Sequence, residues 1–152
     1  MAPDHAVLEL DRFLPYRLSV LSNRISQDIA RLYAERFGLG VTQWRILAVV
    51  GRYPGLSATE LAERTAMDKV AVSRAVNALI GARLLSRQAD GADRRRSRLR
   101  LSLRGRRSYD QIVPLALEYE RRLLSGLSAD ERQALQRLLG RLDESERAAR
   151  ET

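Results

Sequence analysis

"GADRRRSRLRLSLRG", residues 91–105, combines six arginines with a strict alternation of leucine at Leu99, Leu101 and Leu103. A disordered basic tail would have the arginines without the alternation. A buried strand would have the leucines without the arginines. A half-buried strand reconciles them, because side chains on a strand point alternately to opposite faces. The three leucines then pin one face to a core, and Arg98 and Arg100 point outward.

The preceding residues supply the partner strand. "DGAD" at 90–93 is turn chemistry, and Asp-Gly is a strong hairpin signal. Residues 84–89 and 97–103 are therefore predicted to pair, with Arg94, Arg95 and Arg96 at the tip. An arginine-dense tip suits a DNA minor groove, whose negative potential deepens where it narrows. A solvated charged loop is the alternative.

Further toward the N-terminus, "SATE" at 57–60 has capping-box spacing, with Ser57 and Glu60 each able to satisfy a free backbone N–H. A short helix to about Arg64 follows. Thr65, Ala66 and Met67 form a turn, and Asp68 can cap a second helix over about 69–83. On a helical wheel Val72, Val76, Leu79 and Ile80 share one side. Val70, Arg74 and Asn77 sit opposite, flanked by Ala71, Ser73 and Ala78. An ordinary surface helix would carry Glu and Lys on its outer face. Here small residues permit close approach to a groove floor. Arginine can pair with guanine, asparagine with adenine, and Val or Ala can touch a thymine methyl. An amphipathic helix with no partner is the plainer reading.

Helix, tight turn, helix, then a basic hairpin is the order of a winged helix-turn-helix. The DNA-facing candidates are Ser57, Lys69, Val70, Ala71, Ser73, Arg74, Asn77, Asp93, Arg94, Arg95, Arg96 and Arg98. Two long helical segments flank this centre. Leu14, Leu18, Leu21, Ile25, Ile29 and Leu32 form one stripe over 11–37, which "GLG" at 38–40 ends. Thr42 can cap a helix over 43–53. Ser102 can cap a helix to about Ser125, with a kink expected at Pro114. After "GLSADE" at 126–131, a last helix over 129–148 carries Leu135, Leu138, Leu139 and Leu142.

Charge follows the same division. The chain carries +8 overall: +2 over residues 1–55, +6 over 56–105 and zero over 106–152. The middle is suited to a polyanion and the ends are not. Lys69 is the only lysine, His5 the only histidine, and cysteine is absent, so thiol chemistry and His/Cys metal sites lack raw material. No carboxylate pair, nucleophile–base set or phosphate loop argues for an enzyme, and no cofactor or metal is expected. The start, "MAPDHAVLELDRF", lacks the apolar stretch of a signal peptide, and no apolar run approaches the ~20 residues of a membrane span. We read the chain as soluble and cytoplasmic, with no membrane partner.

"DRRRSRLRLSLRG" resembles the wing pattern of the MarR family of bacterial transcription regulators. Asp93, Arg95, Leu101, Ser102 and Gly105 fill its places, with Ser102 where threonine is commoner. "LSATELAERTAMDKVAVSRAVNALIGARLLSR", residues 56–87, is similar to that family's helix-turn-helix. The resemblance implies that Arg95 enters the minor groove and that Asp93 positions it. It also implies a homodimer on a near-palindromic operator.

The expected fold is mainly α with a small β-hairpin wing. It is a single domain, 1–152, with a winged helix-turn-helix core at 56–105 flanked by dimerisation helices at 11–55 and 106–152. The two outer apolar stripes exceed what a small winged-helix core needs, which suits an intertwined interface. Packing on the chain's own core is the alternative for those helices.

Ser19, Ser22, Asn23 and Ser26 run beside the first apolar stripe at helical spacing. Serine is a middling helix former, so stability does not explain them. They allow close helix approach, or they help line a ligand cavity. The family places its effector pocket near the start of the second helix, where Trp44 and Arg45 stand. "FLPYRLSVLSNRISQDIARLY", residues 13–33, also resembles family members that respond to aromatic acids or their coenzyme A thioesters. The ligand candidates are Tyr16, Arg17, Ser22, Asn23, Arg24, Ser26, Trp44 and Arg45. Tyr16 and Trp44 would supply aromatic walls, and the arginines would meet a carboxylate or phosphate.

The function expected is a homodimeric repressor released by a small effector. An effector-independent architectural DNA-binding protein is one rival, and a helical adaptor with a basic membrane-binding patch is another. An arginine-lined apolar gap under the first helix favours regulation, and a filled core favours the architectural role.

Overall fold

The computed structural model describes residues 6–92 and 96–151. Six α-helices and two strands follow one another among these residues: α1 (Leu14–Phe37), α2 (Val41–Arg52), α3 (Ala58–Thr65), α4 (Lys69–Gly81), β1 (Leu85–Ala89), β2 (Ser97–Leu101), α5 (Leu103–Leu123) and α6 (Ala129–Arg150). This is the helical, hairpin-bearing architecture expected from the periodicities.

Local chemistry sets the boundaries. α1 begins at Leu14 rather than residue 11, and Leu10–Arg12 form a separate 3-10 turn. Pro15 explains this: its missing N–H is harmless only in a first helical turn. Gly38 ends α1 with φ of 62°, and its N–H bonds to Ala34 O at 3.1 Å. Thr42 does not cap α2, which starts at Val41. Instead the Gln43 side chain reaches back and accepts from the Gly40 N–H at 3.1 Å.

The core draws on α1 through α4, the hairpin and the first part of α5. Tyr33, Ile46, Val50, Leu61, Val72 and Val76 are wholly buried. Burial of each aliphatic member stabilises the fold by about 1.5–3 kcal/mol. β1 and β2 pair antiparallel, with Leu85 opposite Leu101 and Arg87 opposite Leu99. The other edge of β2 is also occupied. Gly55 N–H donates to Leu99 O, and Leu99 N–H donates to Leu56 O, both at 2.9 Å. Residues 55–56, expected to be only a turn and a helix approach, thus hold the wing to the α2–α3 junction.

The leucine alternation holds for two positions, not three. Leu99 is buried and Leu101 half-buried, but Leu103 is 84% exposed. α5 begins at Leu103, and a helical step of about 100° per residue breaks the two-residue phase. Ser102 does cap α5, accepting from Gly105 N–H at 2.9 Å. Its hydroxyl also donates to Arg83 O, and its N–H donates to Leu84 O at 3.1 Å.

The chain divides into two compact units, Met1–Val113 and Pro114–Thr152, with the boundary inside α5. All the buried apolar side chains belong to the first. In the second, Leu117, Leu123, Leu135, Leu138, Leu139 and Leu142 are 37–59% exposed. α6 starts on the expected capping box, Ser128 Oγ accepting from Glu131 N–H at 3.1 Å.

Candidate nucleic-acid interface

α3 and α4 are fixed at their starts by reciprocal side-chain bonds. Ser57 Oγ accepts from Glu60 N–H at 3.2 Å, and the Glu60 carboxylate accepts from Ser57 N–H at 2.8 Å. That second bond, mainly, holds the Glu60 pKa below its usual value. Thr65 Oγ1 donates to Leu61 O at 2.6 Å in the last turn of α3. Ala66 takes the left-handed conformation, φ 52°, and Asp68 then caps α4 by accepting from Ala71 N–H at 2.9 Å. A tight turn between two capped helices sets their relative angle with few free torsions.

α4 buries Val72, Ala75, Val76 and Leu79. Lys69, Val70, Ser73, Arg74 and Asn77 are exposed, Val70 at 57%, and Ala71 is half-buried. An apolar side chain held in water next to an arginine and an amide is costly unless something covers it. A base edge would. Ile80, expected in the core, is only half-buried.

The wing strand lies close by. Arg96 and Arg98 are exposed. Arg98 pairs with Asp90 at 3.2 Å and donates to Gly55 O at 3.4 Å. Asp90 itself accepts from the Ala92 N–H, the larger cause of its lowered pKa, with Arg98 adding to it. Asp93, Arg94 and Arg95 of the expected wing tip lie outside the described residues.

Three features escaped the sequence reading. Arg87 of β1 donates to Asn77 Oδ1 at 2.9 Å, joining the wing to the outer face of α4. Arg100 is held on the wing surface by a 3.1 Å bond to Gln88 Oε1. The Tyr53 ring has the Arg64 guanidinium 3.6 Å from its centroid and that of Arg52 at 4.8 Å. Hydrogen bonding to Arg64, and then its charge, lowers the Tyr53 pKa. No local pattern marks these contacts, since each joins residues on different elements or across a turn.

The ligand candidates divide. Tyr16, Arg17, Ser22, Asn23 and Arg24 are exposed on α1. Ser26, Trp44 and Arg45 are half-buried, and Arg45 donates to Ser26 Oγ. Trp44 packs on Tyr33, ring centroids 5.3 Å apart and tilted by 56°. The buried Tyr33 hydroxyl and Trp44 indole N–H find no hydrogen-bond partner among the described residues. Tyr33 was not among the candidates. No helix is long and apolar enough to cross a membrane, and no metal-binding group of His, Cys, Asp or Glu occurs among the described residues.

Two capped helices around a tight turn, an exposed recognition face and a basic hairpin define a winged helix-turn-helix DNA-binding protein. Residues 37–96 match the family model described as MarR family. The HTH-type transcriptional regulator BilQ of Clostridium symbiosum (strain WAL-14163) is 28% identical over 119 residues, covering 78% of this chain and 81% of that protein. A MarR/EmrR family transcriptional regulator from Acinetobacter sp. ADP1 superposes with a TM-score of 0.85 at 27% identity, covering 91% of this chain and 97% of that one. A probable transcriptional regulator from Pseudomonas aeruginosa is 32% identical, with a TM-score of 0.70, covering 86% of this chain and 99% of that one. The chain belongs to the MarR family: it is a DNA-binding transcriptional regulator, not an enzyme.

Proposed function

We propose that the protein is a homodimeric repressor that binds a near-palindromic operator and is released by a small aromatic acid or its thioester. The observation that carries the DNA-binding geometry is the exposed face of α4, with Val70, Ser73, Arg74 and Asn77 beside the arginines of β2. In this reading Arg74 and Asn77 read bases, and Val70, Ala71 and Ser73 approach the groove floor. Ser57 and Lys69 hold phosphates at the helix starts. Arg94, Arg95, Arg96 and Arg98 serve the minor groove, with Asp93 positioning Arg95 as in the family.

Residues 56–105 form the DNA-binding core of one MarR-type domain working in the cytoplasm. Residues 11–55 and 106–152 form its dimerisation region. Support comes from the apolar residues left uncovered in a single chain: Leu14, Leu18 and Leu21 on α1, and Leu135, Leu138, Leu139 and Leu142 on α6. Such faces suit a two-fold partner. Two recognition helices then meet half-sites about 34 Å apart. An effector acts by favouring a spacing that DNA cannot accept, and tenfold release needs about 1.4 kcal/mol of differential affinity.

The test is affinity against salt on an operator selected from random duplexes and on scrambled DNA. Arg74→Ala is expected to cost about 1–3 kcal/mol on the operator and much less on scrambled DNA. Equal losses on both would reduce Arg74 to a phosphate contact. Absence of any operator preference in the unsubstituted protein would remove sequence-specific repression altogether.

A further inference from the structure

We propose that a cavity between the α1–α2 corner and the α4–α5 corner is an anion-binding effector site, and that its ligand is a single-ring aromatic carboxylate. The proposal rests on the ligand-released reading above and locates the ligand away from Ser26, Trp44 and Arg45.

The cavity encloses about 380 Å³ and lies wholly within the first compact unit. Phe37, Leu39, Leu79 and Leu84 give it apolar walls. Its polar groups are Arg36, Arg104, Gln43 and Ser108, and no lining residue is acidic. Neither Arg36 nor Arg104 forms an ion pair or a side-chain hydrogen bond among the described residues, although five ion pairs form elsewhere. The Gln43 carbonyl oxygen is already used by the Gly40 N–H, which leaves its NH2 as a donor. Two guanidiniums, an amide NH2 and a hydroxyl thus border an apolar slot. That set recognises a carboxylate on a flat apolar body. The volume sits at the small end for ligand sites, which excludes the nucleotide of a coenzyme A thioester from the same space.

The walls explain how occupancy would reach DNA. Ala78, Leu79 and Ala82 bring the C-terminal turn of α4 to the cavity. Ser73, Arg74 and Asn77, on the same short helix, form its outer face. The α4–β1 corner is bolted to the start of α5: Ser102 bonds to Arg83 O and Leu84 O, and Gly105 lies against the Leu84 carbonyl. The opposite wall is the end of α1, Arg36–Leu39. A ligand spanning both walls fixes α4 relative to α1, so its binding energy can favour one recognition-helix setting.

The test uses benzoate and 4-hydroxycinnamate with the full chain, and benzamide as the uncharged control. Backbone amide shifts map the site and calorimetry gives affinity. Operator mobility shift is read separately. Both acids are expected to bind and to shift residues 36–39, 78–84 and 104–108, with benzamide weaker by roughly tenfold or more. The double variant Arg36→Gln/Arg104→Gln, and separately Ser108→Leu, which fills the slot, are expected to lose binding while still binding operator. Unchanged affinity in both variants, shifts confined to residues around Ser26 and Trp44, or no binding of either acid overturns the site. Binding at the cavity with no change in operator affinity upholds the site and instead overturns ligand-controlled release.

Discussion

Arg87 of β1 donates to the side-chain oxygen of Asn77 on α4 across 2.9 Å, so the wing and the recognition helix share a hydrogen bond on the DNA-facing side. The bond fixes which end of the Asn77 amide is the donor. One oxygen lone pair and the NH2 group remain for a base. Arg87→Ala is therefore expected to cost about 1 kcal/mol on operator DNA beyond the loss of one charge. A double-mutant cycle with Asn77→Ala, measured on operator and scrambled duplexes, checks this. Additive losses would mean that the two residues act independently.

Gly105 is a packing requirement. A Cβ there would overlap the carbonyl oxygen of Leu84, which is backbone and cannot swing away. Gly105→Ala is expected to destabilise the fold by several kcal/mol, more than the ~1–3 kcal/mol usual for overpacking. Denaturant unfolding measures it. Gly140→Ala, at an open helical position, is the control and is expected to be neutral or stabilising.

Ser57 joins stability to function. Ser57→Ala removes the bond to Glu60 N–H and half of the capping box. A loss of about 1 kcal/mol in unfolding free energy is expected. Ser57→Asp restores the cap but places negative charge where a phosphate is proposed to sit. It should recover stability and not DNA affinity. Recovery of both would remove Ser57 from the interface.

Tyr33 makes stability depend on alkaline pH. Burial raises its pKa above the usual 10, because the phenolate would lie in apolar surroundings. The unfolded chain ionises first, so stability is intact below about pH 10 and falls as pH rises through the folded pKa. Tyr33→Phe is expected to remove that fall. It also deletes a buried hydroxyl without a protein partner, so it should not destabilise at neutral pH. Urea titrations at pH 7 and pH 10.5 in both proteins decide it.

The apolar face of α6 is expected to be needed for assembly. Leu138→Glu/Leu142→Glu places two charges one turn apart on residues that are 49% and 40% exposed in the single chain. Sedimentation should show a monomer with the same helical content, and operator affinity should collapse. A dimer that persists would move the interface to α1.

Much of this protein was legible from neighbouring residues. Ser57, Asp68 and Ser128 mark helix starts because each acts on N–H groups two or three residues away. The period of Val72, Val76 and Leu79 fixes which face of α4 is buried, and so which face is free. Leu99, with Arg98 and Arg100 alternating outward, announces the wing. These signals survive without tertiary structure because backbone geometry alone relates the residues involved. The tertiary structure decided the rest. Leu103 left the strand face because the capping of α5 by Ser102 took precedence over alternation. Residues 55–56 became an extra edge for β2 only because chain separated by some forty residues met there. Arg87 on Asn77, Arg64 on Tyr53, Tyr33 against Trp44 and the space between Arg36 and Arg104 follow from how whole elements pack. Side-chain partners of that kind depend on distances between elements, and no local period encodes those distances.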